Sequence, residues 1–134
     1  MEYVVGVALA LGVGVFAGVT GFARDRSFYP VVMVVVASYY DLFAVLGGSG
    51  EALAIEMLVS FLFIAVAVIG FKTNLWWVVG ALVGHGAMDF FHGDIIANPG
   101  VPAWWPMFCM SFDVVAGAYL AYLLLRPAKF KIEA

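Results

Sequence analysis

The chain has 134 residues, of which 66% are hydrophobic and 11% are charged, and its formal net charge at pH 7 is −3. An ordinary globular protein is about half apolar and about a quarter charged, so this composition excludes a typical water-soluble domain. The length allows one compact domain (1–134). The net negative charge excludes the basic patch that nucleic acid binding needs, and a single cysteine excludes an internal disulfide.

Apolar segments long enough to cross a bilayer follow one another along the whole chain. A membrane-spanning helix takes roughly 20 such residues. Short polar, glycine-rich or proline-containing breaks separate the segments, and the sequence predicts five spans at about 3–22, 28–46, 51–71, 75–96 and 106–125. Because the loops are short, we expect an all-α polytopic membrane bundle in which successive helices are antiparallel neighbours.

The basic residues predict the orientation of this bundle. All six lie in the first loop, the third loop or the C-terminal tail, and an odd number of spans places these segments on one side. By the positive-inside rule that side is cytoplasmic, so the N-terminus is expected outside and the protein in the cytoplasmic (inner) membrane of a prokaryote. The six residues are Arg24, Arg26, Lys72, Arg126, Lys129 and Lys131.

Small residues recur every four positions in the first span, at Gly6, Ala10, Gly14 and Gly18. This spacing aligns them along one side of a helix, where they permit close approach of another backbone. The stripe serves either packing within the chain or a seam between two copies, and we expect a homo-oligomer.

Ionisable residues inside the spans are the most informative feature. A charged group in hydrocarbon is costly, so it usually faces the bundle interior beside a partner. A helix rise of about 1.5 Å per residue places these residues about 6 to 16 Å below the outer ends of four different spans. Interhelical hydrogen bonding would explain one such residue, but a set at similar depth predicts a functional site. The set is Asp41, Glu56, His85, Asp89, His92 and Asp113.

The polar residues of each span also share a helix face. His85, Asp89 and His92 are spaced at i, i+4 and i+7, which keeps them within about 60° of one another at roughly 100° per residue. The other spans contain polar pairs three or four residues apart, namely Ser38 and Asp41, Glu56 and Ser60, and Cys109 and Asp113.

Imidazole and carboxylate groups together form a ligand set for a divalent metal such as zinc, iron or manganese. Bundles build metal centres from such groups on facing helices, and an open coordination position would supply activated water. We therefore expect metal-dependent chemistry on a lipid or another small apolar substrate, although no catalytic residue can be assigned. The predicted ligands are His85, Asp89, His92, Asp113 and Glu56.

Further polar residues accompany this set. Cys109 is interpreted chiefly as a small packing residue, although as a thiolate it would be a ligand. Tyr39 and Tyr40 precede Asp41, and they are expected either to hydrogen-bond an acid or to pack at the membrane interface. The loop from Asn98 to Trp105 is expected to cover the site from outside and to lie at the level of the lipid headgroups. The other members of the polar site are Asp41 and Ser60.

Two other functions are open at this point. Chains of acids and histidines are the usual proton relays of pumps and carriers, so the same residues would suit a homo-oligomeric proton- or cation-coupled transporter. The lack of ionisable groups in the inner half of the spans argues against a path through the membrane. The third interpretation is a subunit or assembly factor of a larger membrane complex.

The second half of the chain contains the pattern HGxxDxxH from His85 to His92, then Asn98-Pro99, then CxxxD from Cys109 to Asp113. This pattern resembles an uncharacterised bacterial integral-membrane family, known only as a domain of unknown function. The resemblance covers nearly the whole chain, including a glycine-rich loop before a span with one acid, here Glu56. It implies a five-helix fold that contains these polar residues, and it implies no activity.

A looser likeness is to intramembrane zinc hydrolases of the ceramidase and adiponectin-receptor type, which also place His and Asp on helix faces. The chain differs from them in having five predicted spans rather than seven and two histidines rather than three, so this likeness is an analogy only.

Overall fold

The structure is a computed structural model that describes residues 1–126. The all-helical prediction is confirmed, since this part of the chain contains five long helices, a short 3-10 turn at Phe22–Arg24 and no β-strand. Two of the six basic residues, Lys129 and Lys131, lie outside the described residues. The helices are α1 (Glu2–Thr20), α2 (Phe28–Leu46), α3 (Gly50–Lys72), α4 (Trp76–Ile95) and α5 (Trp105–Leu125).

Four of these helices, α1, α2, α3 and α5, are long and apolar enough to cross a membrane. This is the composition of an integral membrane protein. Helix α4 has a similar length, but two histidines and two aspartates make it less apolar than the others. The most polar helix is therefore the one that contains three of the five predicted metal ligands.

The helix ends follow from local chemistry. Helix α1 ends at Gly21, whose φ of 88° lies in the left-handed region that glycine adopts without strain. The hydroxyl of Ser49 caps α3 by accepting a hydrogen bond from the backbone N–H of Ala52 at 3.1 Å. Pro106 lies in the first turn of α5, where its missing N–H costs nothing. These signals set the loops that orient successive helices.

Helix α4 packs against three other helices. It lies between α5 and α3 and also contacts α2, whereas α1 packs against α5. One face of α4 is therefore buried along much of the helix, from Val78 to His92. Side chains on this face can reach three other helices.

The small residues of α1 contribute to packing within the chain. Gly6, Ala10 and Gly14 are buried, and the space beside Gly6 is filled by the Ser111 side chain and by the backbone of α5. Gly18 is exposed. Three of the four small residues therefore pack within the chain, which was one of the two interpretations of this stripe. Homo-oligomerisation stays a prediction.

The turn between α1 and α2 is attached to the end of α3 by Arg26. Its Nε donates a hydrogen bond to the carbonyl of Phe71 at 2.6 Å, and its guanidinium also donates to the carbonyl of Thr73 at 3.0 Å. In the same turn Ser27 donates two hydrogen bonds to Asp25, which hold the pKa of that exposed carboxyl below its usual range. These contacts order the end of the bundle opposite the predicted site.

Candidate metal centre

Six polar side chains with metal-binding potential are packed in the bundle interior, none with more than 2% of its surface exposed. Helix α4 contributes three, α5 two and α3 one. Burial to this degree is unusual for carboxylates unless they are paired, so their partners determine what the site can do. The six are Glu56, His85, Asp89, His92, Cys109 and Asp113.

Four of them form what we call the α4–α5 cluster, consisting of His85, Asp89, Cys109 and Asp113. Each of these residues offers one ligand atom, and these atoms lie within 4.8 Å of one another. The Nδ1 atom of His85 is 2.7 Å from Oδ2 of Asp113 and 3.5 Å from Oδ2 of Asp89. The thiol of Cys109 donates to Asp113 Oδ2 at 3.8 Å. His85 is thus shared between a carboxylate of its own helix and one of α5.

The close approach of α4 and α5 makes this cluster possible. Gly86 of α4 faces α5 so closely that a Cβ atom there would lie 3.1 Å from the carbonyl of Met110 and 3.4 Å from Cβ of Asp113. A larger residue would separate the two helices. The glycine next to His85 therefore allows Asp113 of α5 to reach the imidazole, which already lies one helical turn from Asp89.

Several polar atoms of the cluster have no hydrogen-bond partner among the residues that the structure describes. They are Nε2 of His85, Oδ2 of Asp89 and Oδ1 of Asp113. A buried polar atom without a partner costs about 1 to 3 kcal/mol. Three such atoms in one cluster leave capacity for further polar partners, which an ion or a water molecule could supply.

Glu56 and His92 form a separate pair. Oε1 of Glu56 lies 2.8 Å from Nε2 of His92, and the same oxygen accepts a hydrogen bond from the side-chain amide of Asn98 at 2.9 Å. The Asn98 amide also donates to the backbone carbonyl of Tyr40 at 3.1 Å. The loop after α4 is thereby attached to both α2 and α3 directly beside this pair.

Tyr40 of α2 connects the Glu56–His92 pair with the α4–α5 cluster. Its hydroxyl donates a hydrogen bond to Oδ1 of Asp89 at 2.7 Å, and its ring stacks on the imidazole of His92 at a centroid distance of 4.0 Å. The prediction that one of the two tyrosines binds an acid is therefore confirmed for Tyr40. One side chain touches both groups of polar residues.

Asp41 takes part in a third interaction, between α2 and α3. Its Oδ2 atom accepts a hydrogen bond from the hydroxyl of Ser60 at 2.8 Å, while its buried Oδ1 atom has no such partner within residues 1–126. Asp41 is only half-buried, unlike the carboxylates of the α4–α5 cluster. These two residues of the predicted polar site therefore lie together at a different helix interface.

A cavity of about 640 Å³ lies at the end of the bundle formed by the Asn98 loop. Its walls include His92 and Asn98, together with prolines of the loop such as Pro99 and Pro102. This cavity therefore reaches His92 of the Glu56–His92 pair, whereas none of the four residues of the α4–α5 cluster lies in its walls.

The structure divides the five predicted metal ligands between two groups. It brings His85, Asp89 and Asp113 together with Cys109, and it pairs Glu56 with His92. Cys109, interpreted from the sequence chiefly as a packing residue, is a member of the four-residue cluster. The sequence signal for this role is the i, i+4 spacing of Cys109 and Asp113, which places the thiol on the same helix face as the carboxylate.

Comparisons of this chain with protein-family models, with curated proteins and with solved structures give no match. The geometry of the buried polar residues is therefore the basis on which a function is proposed.

Proposed function

We propose that α4 crosses the membrane together with the four more apolar helices, so that this chain is an integral membrane protein of five spans. We also propose that its α4–α5 cluster binds a divalent metal ion. The observation that supports this most directly is the grouping of four ligand atoms within 4.8 Å inside a buried site. Metal coordination would also offset the charge of two adjacent carboxylates, Asp89 and Asp113, which otherwise repel each other.

The residues present fit a metal by both donor type and distance. An imidazole, a thiol and two carboxylates include the three donor types that Zn²⁺ accepts in four-coordinate sites. Ligand atoms around such an ion lie about 3.4 to 3.7 Å apart, given metal–ligand bonds of about 2.0 to 2.3 Å. The four atoms would need to adjust by about 1 Å, and the ion would replace the proton that His85 and Asp113 share. A thiolate ligand favours zinc or iron over manganese.

Within this proposal Glu56 and His92 support the site rather than bind the same ion. His92 is two helical turns from His85, about 10 Å along the axis at a rise of about 1.5 Å per residue. His92 stacks on the ring of Tyr40, and the hydroxyl of Tyr40 donates a hydrogen bond to Asp89. His92 therefore contacts the cluster through Tyr40. We expect this pair to orient Tyr40 and to line the approach from the outer cavity.

The proposed activity is metal-dependent chemistry on a lipid or another small apolar substrate. A bound metal ion supplies activated water or polarises a carbonyl or phosphoryl oxygen. The chain's own residues would hold the ion, keep water out of the remaining site and accept or return a proton at Asp89 or Asp113. We place the protein in the cytoplasmic membrane of a prokaryote, with the N-terminus outside, because the four basic residues that the structure describes lie at the opposite end of the bundle from the N-terminus.

Elemental analysis of the purified protein tests the metal proposal. We expect one equivalent of a divalent metal in the wild type, its loss in His85→Ala, and its retention in His92→Ala. His92 is a matched control because it is also a buried histidine of α4 paired with a carboxylate. Wild-type protein without metal, or metal that neither substitution affects, would contradict the proposal.

Cobalt substitution tests the role of Cys109 separately. A thiolate bound to Co²⁺ produces a sulfur-to-metal charge-transfer absorption, so we expect this band in the wild type and its loss in Cys109→Ser. A wild-type cobalt protein without the band would remove Cys109 from the ligand set while leaving the other three ligands in place.

A proton- or cation-coupled transporter is the second candidate. It is supported by the buried acid–imidazole contacts themselves, Glu56 with His92 and His85 with Asp113, since proton relays consist of such groups. Flux into proteoliposomes that depends on Asp89 and persists after chelation of metals would favour this candidate over the first.

A further inference from the structure

An apolar groove of about 590 Å³ runs along one flank of the bundle, between α1 and α2, with α5 as its floor. It exists because α1 packs against α5 rather than against α2. Its walls include Leu9 of α1 and Val35 of α2, and none of the described residues that line it is charged. The three helices that form it are among those apolar enough to cross a membrane, so the groove opens toward lipid.

The groove is about as long as one leaflet of a bilayer is deep, and aromatic side chains lie at one of its ends. Along α2 the lining extends from Phe28 to Tyr39, which is about 16 Å at a rise of about 1.5 Å per residue. Half of a hydrocarbon core about 30 Å thick is about 15 Å. Trp104 and Trp105 line the same end as Tyr39, and tryptophan and tyrosine are the residues that mark the boundary between hydrocarbon and headgroups.

The floor of this groove reaches the α4–α5 cluster. Cys109 lines the groove, and its thiol also contacts Asp113. Cys109 follows Trp105 by one turn of α5, about 6 Å along the helix. A hydrocarbon chain in the groove would therefore pass Cys109 with the part that is nearest to its headgroup.

We propose that the groove binds one hydrocarbon chain of a membrane lipid and that this lipid is the substrate of the cluster. The statement that the lipid is a substrate rests on the proposed metal-dependent function. The binding of the lipid's hydrocarbon chain in the groove does not depend on that function. A groove with apolar walls inside a bilayer has no water to fill it, and its dimensions and aromatic end match a lipid chain rather than a polar ligand.

Photo-crosslinking tests this proposal. The full-length protein is placed in nanodiscs that contain a small fraction of phosphatidylcholine with a diazirine in one acyl chain, and the adducts are located by mass spectrometry after irradiation. We expect adducts to concentrate on the groove, for example at Leu9, Val35 and Cys109. Phe61 of α3, which is exposed on a flank outside the groove, provides the background for ordinary lipid contact.

Two substitutions fill the groove from opposite walls, Val35→Trp from α2 and Leu9→Trp from α1. Each is expected to abolish most groove adducts and to leave the metal content unchanged. Leu58→Trp, on the exposed flank of α3, is the matched control and is expected to leave the adducts unchanged. Because each wall has its own variant, the test remains valid if one of the two variants fails to fold.

Three results would overturn the proposal. Adducts spread evenly over α3 and the groove would mean ordinary contact with the bilayer. Adducts that persist in both groove-filling variants would mean that the lipid's hydrocarbon chain binds outside the groove. Groove residues that cross-link to a second copy of the chain and give no lipid adducts would mean that the groove is a dimer interface. Groove adducts on a wild-type protein that contains no metal would refute the metal-dependent function and leave the lipid site in place.

Discussion

The imidazole of His92 lies almost parallel to the ring of Tyr40, with the ring centroids 4.0 Å apart and the planes inclined by 17°. The same tyrosine donates its hydroxyl to Asp89 at 2.7 Å. Any movement of Tyr40 would therefore disturb both the Glu56–His92 pair and the α4–α5 cluster. This relationship makes Tyr40 the residue through which the two groups of polar side chains are linked.

Tyr40→Phe removes the hydroxyl and keeps the ring that stacks on His92. We expect the free energy of unfolding in detergent to fall by about 1 to 3 kcal/mol, because Asp89 loses a buried hydrogen-bond donor. The adjacent Tyr39→Phe is the matched control, since Tyr39 is exposed beside the apolar groove and contacts Trp105 with its ring. Equal effects of the two substitutions would show that the hydroxyl of Tyr40 contributes nothing specific.

Asn98→Ala removes the amide that donates to both Glu56 and the carbonyl of Tyr40. We expect a loss of about 1 to 3 kcal/mol in the free energy of unfolding, because both acceptors belong to buried residues. Asn98→Asp has the same size but sets a second carboxylate beside Glu56, so we expect a larger loss. Chemical denaturation of the three proteins in one detergent checks the order, and an Asp variant as stable as the wild type would contradict it.

Gly6→Ala tests the packing of α1 on α5. A Cβ atom at this position would overlap the Ser111 side chain and the carbonyl of Phe108, so we expect a loss of about 1 to 3 kcal/mol from overpacking. Gly12→Ala, on the same helix, is the control because a Cβ atom there has no described atom within 4 Å. Thermal unfolding would show a lower midpoint for Gly6→Ala only. If Gly12→Ala proved the more harmful, the packing face of α1 would be assigned wrongly.

Arg26→Lys tests the contact between the first turn and the end of α3. A lysine cannot reproduce the planar fork with which Arg26 donates to the carbonyls of Phe71 and Thr73. Because both hydrogen bonds are exposed, we expect the free energy of unfolding to fall by about 0.5 to 1.5 kcal/mol. Arg24→Lys changes the same turn while conserving charge and is expected to have little effect. The comparison is made by thermal unfolding at two salt concentrations. A loss that high salt abolishes would indicate charge attraction rather than the directed hydrogen bonds.

Part of the site could be predicted from periodicity. The spacing of His85, Asp89 and His92 places them on one face of α4, and the cost of burying such groups in hydrocarbon requires that face to point inward. All three are buried in the structure. Composition and apolar segment length likewise predict an all-helical membrane protein, because the bilayer permits few other solutions.

The partners of these residues could not be predicted in the same way. A helix face about 60° wide still reaches more than one neighbour, and His85 contacts Asp113 of α5 while His92 contacts Glu56 of α3. Which neighbour each residue meets depends on the helix order around the bundle, and no local pattern encodes that order. For the same reason the sequence could not show that Cys109 lies between an apolar groove and the carboxylates.

The amino-acid sequence by itself determined the number of helices, their approximate ends and the inward face of α4, because these depend on hydropathy, capping and spacing along one chain. Only the tertiary structure decided that the polar residues separate into a four-residue cluster and a pair joined by Tyr40. The physical reason is that side chains reach only a few ångströms, so contacts between helices are set by how closely particular backbones approach. In this chain Gly86 allows that approach at the cluster.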